Sequence, residues 1–288
     1  PRVDKIDGTE PSITDLLSGF DANNYDYIYA KGGDEVLNLD VGKINTKVGK
    51  LSEISIADDL LLWYPLQGSY TPSGDAYEMV SGKDGTIAGD PSITSRGYDF
   101  PLTTQYINGI DLTDSDLLDA STNAVTFSGW INRTSSVNTY NMPFGQFLPY
   151  FSFHSGNYLL FSAYIDGVQR SIAGGTSSWS NGEWIHFVST YDGEYMRVYA
   201  NGVLDGTSAS YPGNMTLGSS YTWTIGDGGS TSHPWYPFNG KVSDVRIYNK
   251  VLSAEEIKIL YDTTNPESTN RVKLSKDTLY VKGKIKEN

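Results

Sequence analysis

The sequence predicts an all-β protein made of two antiparallel sheets packed face to face. Three observations carry this. Aromatic residues make up 13% of the 288 residues, and 30 Gly are available for turns; aromatic and β-branched side chains favour strands. Asp-Gly and Asn-Gly pairs recur between alternating apolar runs, the signature of two-residue hairpin turns. Only one helix start is convincing and no strand–helix–strand spacing recurs, so an open α/β sheet is a poor fit.

Residues 1–57 are polar, with short strands expected at Tyr25–Ala30 and Glu35–Val41 around the Lys31-Gly32-Gly33-Asp34 turn. They hold too little apolar material for a core of their own and read as an arm or small β appendage. The dense region is 58–262. Leu60–Leu66 opens it as a buried strand, and Lys83–Ile87 follows a Gly/Ser-rich loop. In 124–131 the alternation puts Val125, Phe127, Gly129 and Ile131 on one face and Thr126, Ser128 and Trp130 on the other. Residues 157–164 and Val168–Ile172 flank the Asp166-Gly167 turn. Glu183–Thr190 and Glu194–Ala200 flank Asp192-Gly193, and Asn201-Gly202 turns the chain again. Met196, Val198 and Ala200 are expected on the side opposite Tyr195, Arg197 and Tyr199. Tyr221–Ile225 and Lys241–Tyr248 complete the strands of this region.

The helix start is Ser253, an N-cap with Glu256 three residues on to close a capping box, and with Leu252 and Ile257 at the staple positions. Ile257, Leu260 and Tyr261 form a short apolar stripe. Such a helix is expected to plug one edge of the sheet pair. Residues 263–288 read as a polar linker through Asn265-Pro266 and then a strand-like tail, with Leu279, Val281 and Ile285 alternating among Lys residues. The tail is expected to pair with the N-terminal arm.

Composition narrows the function classes. Asp and Glu outnumber Lys and Arg by 34 to 21, a formal charge of -13, which disfavours nucleic-acid binding because that needs a positive footprint. The absence of Cys excludes a disulfide scaffold. No apolar run is long enough to span a bilayer, so no membrane insertion is expected. The N-terminus lacks a basic region followed by an apolar stretch, so no signal peptide is expected either.

Several segments together resemble a known family. Gly182–Val188 with Tyr191-Asp192-Gly193 and Val198–Gly202, then Phe238–Tyr248 with Leu252–Ile257 behind it, are similar to the laminin-G-like, concanavalin A-like jelly-roll family. Tyr64-Pro65-Leu66, Gly82–Thr86 and Phe127–Ile131 fall upstream in the family's order. The resemblance covers about 59–262 and implies a jelly-roll sandwich with β arms at both termini. It implies little about function, since this fold carries lectin-like, adhesive and enzyme-attached modules. Leu16–Tyr25, Gly32–Val41 and Asp277–Gly283 resemble segments of tailed-bacteriophage structural proteins. That resemblance implies a virion surface as the expected location, with other copies or other proteins of the particle as partners. A bacterial cell-surface adhesin is the alternative.

The chemistry follows from these residues and this resemblance. Flat aromatic faces beside polar groups suit sugars, and three segments offer them: Tyr140–Phe147 with Tyr140 and Phe144, Ser232–Asn239 with Trp235 and Tyr236, and Trp179 in the Ser-rich 177–181 stretch. Cell-surface glycans are the expected ligand class; covering the sandwich ends or forming a protein interface is the competing role for the same rings. Members of the family often hold Ca²⁺ at the sandwich edge, and the resemblance points to Glu78, Asp84 and Asp244 as its ligands. Asp111, Asp114, Asp116 and Asp119 form an acidic stretch that suits a second ion or plain solvation. Glycoside hydrolysis needs two carboxyl groups about 5–9 Å apart. Asp192 and Glu194 are the one tempting pair, split by a turn glycine, and the glucanase pattern Glu-x-Asp-x-x-Glu is absent, so a non-catalytic protein is expected. His154, His186 and His233 show no metal spacing, and His186, alternating with Trp184 and Val188, reads as structural.

Overall fold

The computed structural model describes residues 28–29, 59–66, 75–80, 84–89, 91–94, 96–101, 109–112, 121–135, 140–146, 148–217, 223–226, 238–267, 271–275 and 278–282. The chain divides into two compact units. One joins Pro1–Ile56 to Glu267–Asn288; the other is Ala57–Pro266.

In the first unit, β1 (Ile28–Tyr29) pairs in parallel with a C-terminal strand of the same chain, Arg271–Ser275, which itself pairs antiparallel with Thr278–Lys282. The tail therefore does meet the N-terminal arm. The expected strand at Glu35–Val41 lies outside the described residues.

The second unit is the sandwich. Its strands are β2 (Leu60–Tyr64), β3 (Thr86–Ala88), β4 (Ser92–Thr94), β5 (Gly97–Phe100), β6 (Gly109–Asp111), β7 (Ser121–Thr122), β8 (Val125–Arg133), β9 (Tyr140–Gly145) and β10 (Tyr150–His154). They continue with β11 (Leu159–Ile165), β12 (Val168–Ala173), β13 (Trp184–Tyr191), β14 (Met196–Ala200), β15 (Val203–Thr207), β16 (Met215–Thr216), β17 (Thr224–Ile225) and β18 (Gly240–Tyr248). One sheet runs β3-β6-β17-β9-β10-β11-β16-β7, with β12 also on β11. The other runs β15-β14-β13-β8-β18-β5-β4, with β2 also on β18. Every pairing in both sheets is antiparallel.

The period of two decides what is buried between the sheets. Val125, Phe127 and Ile131 of β8, Ile185 and Phe187 of β13 and Met196 and Val198 of β14 point inward with Phe144, Phe151, Phe153 and Phe161 from the opposite sheet. Ring centroids of Phe151 lie 4.4 Å from Phe187 and 4.8 Å from Phe161, so the core is an aromatic stack. Gly129 leaves room for that stack, since a Cβ would come 3.1 Å from the Phe187 ring and push it by a few tenths of an ångström.

The helix α1 (Ala254–Thr264) has the expected capping box, with Ser253 accepting from the Glu256 N–H and Glu256 accepting from the Ser253 N–H. It does not plug an edge. It covers the outer face of the second sheet, where Trp130 stacks on Tyr261 at 5.6 Å and donates through Nε1 to Thr264 Oγ1 at 2.7 Å. The reason is that β8 is buried on both faces, and its outer ring needs an apolar partner. No helix among the described residues is long and apolar enough to cross a membrane.

The aromatic segment that begins at Tyr140 is strand over Tyr140–Gly145. Phe151 pairs with Phe144 and Phe153 with Asn141, so Met142 and Pro143 together oppose Ser152. That bulge accommodates a proline, which has no N–H to give to a ladder. Being strand, the segment sends Phe144 inward. Its ring is 1% exposed, packed at 5.4 Å from Trp223, and offers a ligand no face.

Candidate functional site

One end of the sandwich holds two of the candidate residues, Tyr140 and Trp179. β8 runs toward this end and finishes at Arg133, opposite Gly240 where β18 begins. Tyr140 starts β9 here, paired with His154, and the tight turn at 155–158 carries the chain into β11. The loop 174–183 crosses the same end before β13 starts beside Asn132.

Arg133 organises the site because the alternation that buries Phe127 and Ile131 puts its side chain on the core face too. It is 5% exposed. Its guanidinium lies 4.5 Å from the centroid of the Phe153 ring, a cation–π contact. Nε donates to Asn181 Oδ1 at 2.9 Å, and Nη2 to Asn157 Oδ1 at 2.6 Å and the Trp179 carbonyl at 3.4 Å. Burial lowers its pKa from the ordinary Arg value.

The crossing loop is held at several points. Asn157, in the left-handed region at φ 61°, a conformation Asn tolerates, donates through Nδ2 to the Trp179 carbonyl at 2.8 Å. Asn132 Nδ2 donates to the Gly182 carbonyl at 2.7 Å, and the Gly182 N–H returns to the Arg133 carbonyl at 2.8 Å. At the other side Asp205 Oδ1 accepts from the Thr176 N–H and hydroxyl at 3.0 and 2.6 Å. Trp179, half-buried against the core, thus projects from a pinned loop flanked by exposed Ser177, Ser178, Ser180 and Asn181. The His154 and Tyr158 rings, across the turn at 155–158, stack on each other at 4.7 Å. Trp235 and Tyr236 lie outside the described residues; past them, Asn239 Nδ2 donates to Ser135 Oγ at 2.7 Å.

The expected calcium ligands do not assemble in this way. Asp84 Oδ1 accepts from the Glu78 N–H at 2.9 Å, and Glu78 Oε1 accepts from the N–H groups of Trp63 and Val80, both at 2.9 Å. Asp244 Oδ1 accepts instead from Trp63 Nε1 at 2.7 Å and forms a buried ion pair with Arg246 at 2.9 Å. A cation at Asp244 would face that guanidinium. The three carboxylates therefore do not fit a common Ca²⁺ centre, and no group of three metal-binding side chains converges among the described residues.

Asp192 and Glu194 sit in an exposed turn. Burial pushes the Asp192 carboxyl up, but the N–H groups of Tyr195 and Glu194 and the Arg197 guanidinium, 2.5 Å away, outweigh it and hold the pKa below the ordinary value. A glycosidase acid needs the opposite shift. His186 is fully buried under α1, with Nε2 3.1 Å from Ser128 Oγ. Burial pushes its pKa down to about 3, with Asp244 and Arg246 as smaller opposing influences. It is a structural, neutral imidazole.

The family model described as the Concanavalin A-like lectin/glucanases superfamily matches residues 104–258, more than half of the chain. The chain belongs to this superfamily. No curated protein sequence matches this superfamily member. Its sandwich is similar to the binding domain of botulinum neurotoxin serotype D/C VPI 5993, with TM-score 0.54 and 16% identity, covering 75% of this chain and 54% of that one. It is similar to a botulinum neurotoxin type C structure whose cell entry depends on interaction with two ganglioside molecules, with TM-score 0.52 and 17% identity, covering 75% and 53%. Domain 4 of the GH43 arabinanase AbnA from Geobacillus stearothermophilus, in complex with arabinotriose, matches at TM-score 0.47 and 20% identity, covering 70% and 98%. The chain thus spans about half the length of the toxin domains. The family match establishes the lectin/glucanase-type fold, and the two toxin likenesses share the sandwich.

Sequence reasoning put Trp179 and Tyr140 among the candidates and did not point to Arg133, Asn157 and Asn181. The missed signal was legible: Arg133 extends the inward series Val125, Phe127, Gly129, Ile131 by one step, and a charge at such a position requires a purpose. Asn157 and Asn181 carry no comparable signal.

Proposed function

We propose that this superfamily member is a non-catalytic attachment module that binds carbohydrate at the Arg133 end of its sandwich. The observation that carries the reading is the pinned loop. Asn157, Arg133, Asn132 and Asp205 fix the backbone around Trp179, so the ring and the neighbouring Ser and Asn groups are pre-organised. A fixed aromatic beside polar groups loses little entropy on meeting a sugar. The ganglioside dependence of the type C toxin makes a cell-surface glycan the natural first probe. The depressed pKa of Asp192 and the burial of His186 support the non-catalytic reading.

The setting in this proposal is a virion surface, with the terminal β unit joining the sandwich to other proteins of the particle. It is supported by the phage-like segments at both ends of the sequence. A bacterial surface adhesin would use the same site. The test is a broad glycan array probed with the full chain. Binding that is lost in Trp179→Ala supports the proposal; an array without signal overturns it. Electron microscopy of particles labelled with an antibody to this chain tests the virion setting separately.

A further inference from the structure

Resting on the glycan reading, we propose that the Arg133 end selects acidic sugars, with the Arg133 guanidinium receiving the ligand's carboxylate. Arg133 is nearly buried, yet among the described residues no acidic side chain pairs with it; its partners are two Asn side-chain oxygens and a backbone carbonyl. Its Nη1 is buried without any hydrogen-bond partner. Trp179 Nε1 is also buried without a partner, on a residue whose carbonyl Arg133 itself contacts. Two unused donors, one of them ionised, therefore belong to residues in contact, one at the end of β8 and the other in the loop that carries the aromatic ring.

A buried donor without a partner is costly, and a buried unpaired charge more so. An anionic oxygen answers both deficits, and a guanidinium is suited to carboxylates because its N–H groups form a planar fork. The nearest acid in the loop does not serve. Glu183 is exposed, and its Oε2 accepts from the Ser180 N–H at 3.3 Å. The remaining surroundings favour a sugar acid over a bare ion: the half-buried Trp179 ring, and exposed Ser177, Ser178, Ser180 and Asn181 to meet hydroxyls. Because Arg133 is only 5% exposed, the Asn181 side chain must swing off its guanidinium to admit the anion, an opening that leaves the Asn132, Asn157 and Asp205 contacts holding the loop. A neutral glycan gains nothing from that opening, whereas a uronic or sialic acid gains a charge-assisted hydrogen bond.

The test is isothermal titration calorimetry on the full chain with matched probes: tetragalacturonate against its methyl ester, and sialyllactose against lactose. At least one acid is expected to bind tenfold or more tighter than its neutral counterpart, with affinity falling as salt rises. Trp179→Phe keeps a smaller ring and deletes the indole N–H; it should weaken the acid more than the ester, so that the ratio of the two affinities falls several-fold. Arg133→Gln should abolish the preference, and thermal melts establish whether that variant folds. If it does not, Trp179→Phe and the matched probes still decide. Equal affinity for acid and neutral forms, or an acid preference untouched by Trp179→Phe, overturns the inference while the glycan reading stands. Inorganic sulfate competing as strongly as the uronate also overturns it, marking a general oxyanion pocket. Absence of binding to any glycan, neutral or acidic, overturns the proposed function and this inference together.

Discussion

The two ends of the sandwich are built from the same kinds of loop but close in different ways. At the far end, the Tyr191 hydroxyl bridges the carbonyls of Tyr211 and Gly213 at 2.8 and 2.9 Å. Asp166 Oδ1 accepts from the Asn214 N–H, Asp192 binds Arg197 and Glu194 accepts from Ser210. The unpaired groups on the strand leading there, Ser189 Oγ and Thr190 Oγ1, are neutral hydroxyls. At the Arg133 end a guanidinium nitrogen, an indole N–H and, on the far side of the loop, the Asp205 Oδ2 are left short of partners. A closed end stabilises; an end with spare ionised donors has capacity for something outside the chain. The difference separates a seal from a site where aromatic content alone would not.

The comparison is sharpened most by Gly240→Ala. At φ 151° a Cβ there would lie 2.1 Å from the Asn132 carbonyl oxygen. The loss is expected to reach about 3 kcal/mol or more, read by denaturant unfolding; a loss under about 1 kcal/mol would show that the backbone of the Arg133 end yields easily. Next in size is a pH effect from neither end. The His186 pKa is depressed to about 3 in the folded chain, against about 6.5 in an unfolded one. Between those values the unfolded state binds the proton and the folded state does not, so stability falls as pH drops through that window. His186→Phe should flatten the profile of melting temperature against pH; an unchanged slope would remove His186 as its cause.

Tyr191→Phe should cost about 1–2 kcal/mol, because two carbonyls lose their shared donor, and should leave glycan binding at the opposite end intact. Loss of binding in that variant would break the contrast between the ends. Arg197→Ala, removing a partly exposed ion pair with Asp192, should cost about 0.5 kcal/mol or less. The smallest effect is expected from calcium. Adding it, or a chelator, should leave the melting temperature unchanged; a clear rise with calcium would place a cation beside Glu78 and Asp84 despite the Asp244–Arg246 pair.

Much of the fold was readable because strong local rules agreed. The alternation around Phe127, the Asp-Gly turns and the Ser253–Glu256 capping box each specified an element that the structure contains. Strands such as Gly97–Phe100 and Val203–Thr207 were not readable, since they are short, carry glycine, and exist only through pairing with distant partners. Tyr140–Gly145 was obscured by Pro143, whose missing N–H argues against a strand until the bulge opposite Ser152 is seen. The same error placed Phe144 among binding residues. At the site, Trp179 was visible as an aromatic in a polar stretch. Its supports were not, because Asn157 and Arg133 reach it across 22 and 46 residues of chain.

The parallel pairing of β1 with the strand Arg271–Ser275 has a mechanical consequence. The sandwich, Ala57–Pro266, is the loop that this pairing closes. A pull applied between the two extremities of the polypeptide loads that short ladder first. The sandwich feels no tension until that ladder ruptures, so its own strands stay paired under a load that the terminal unit carries.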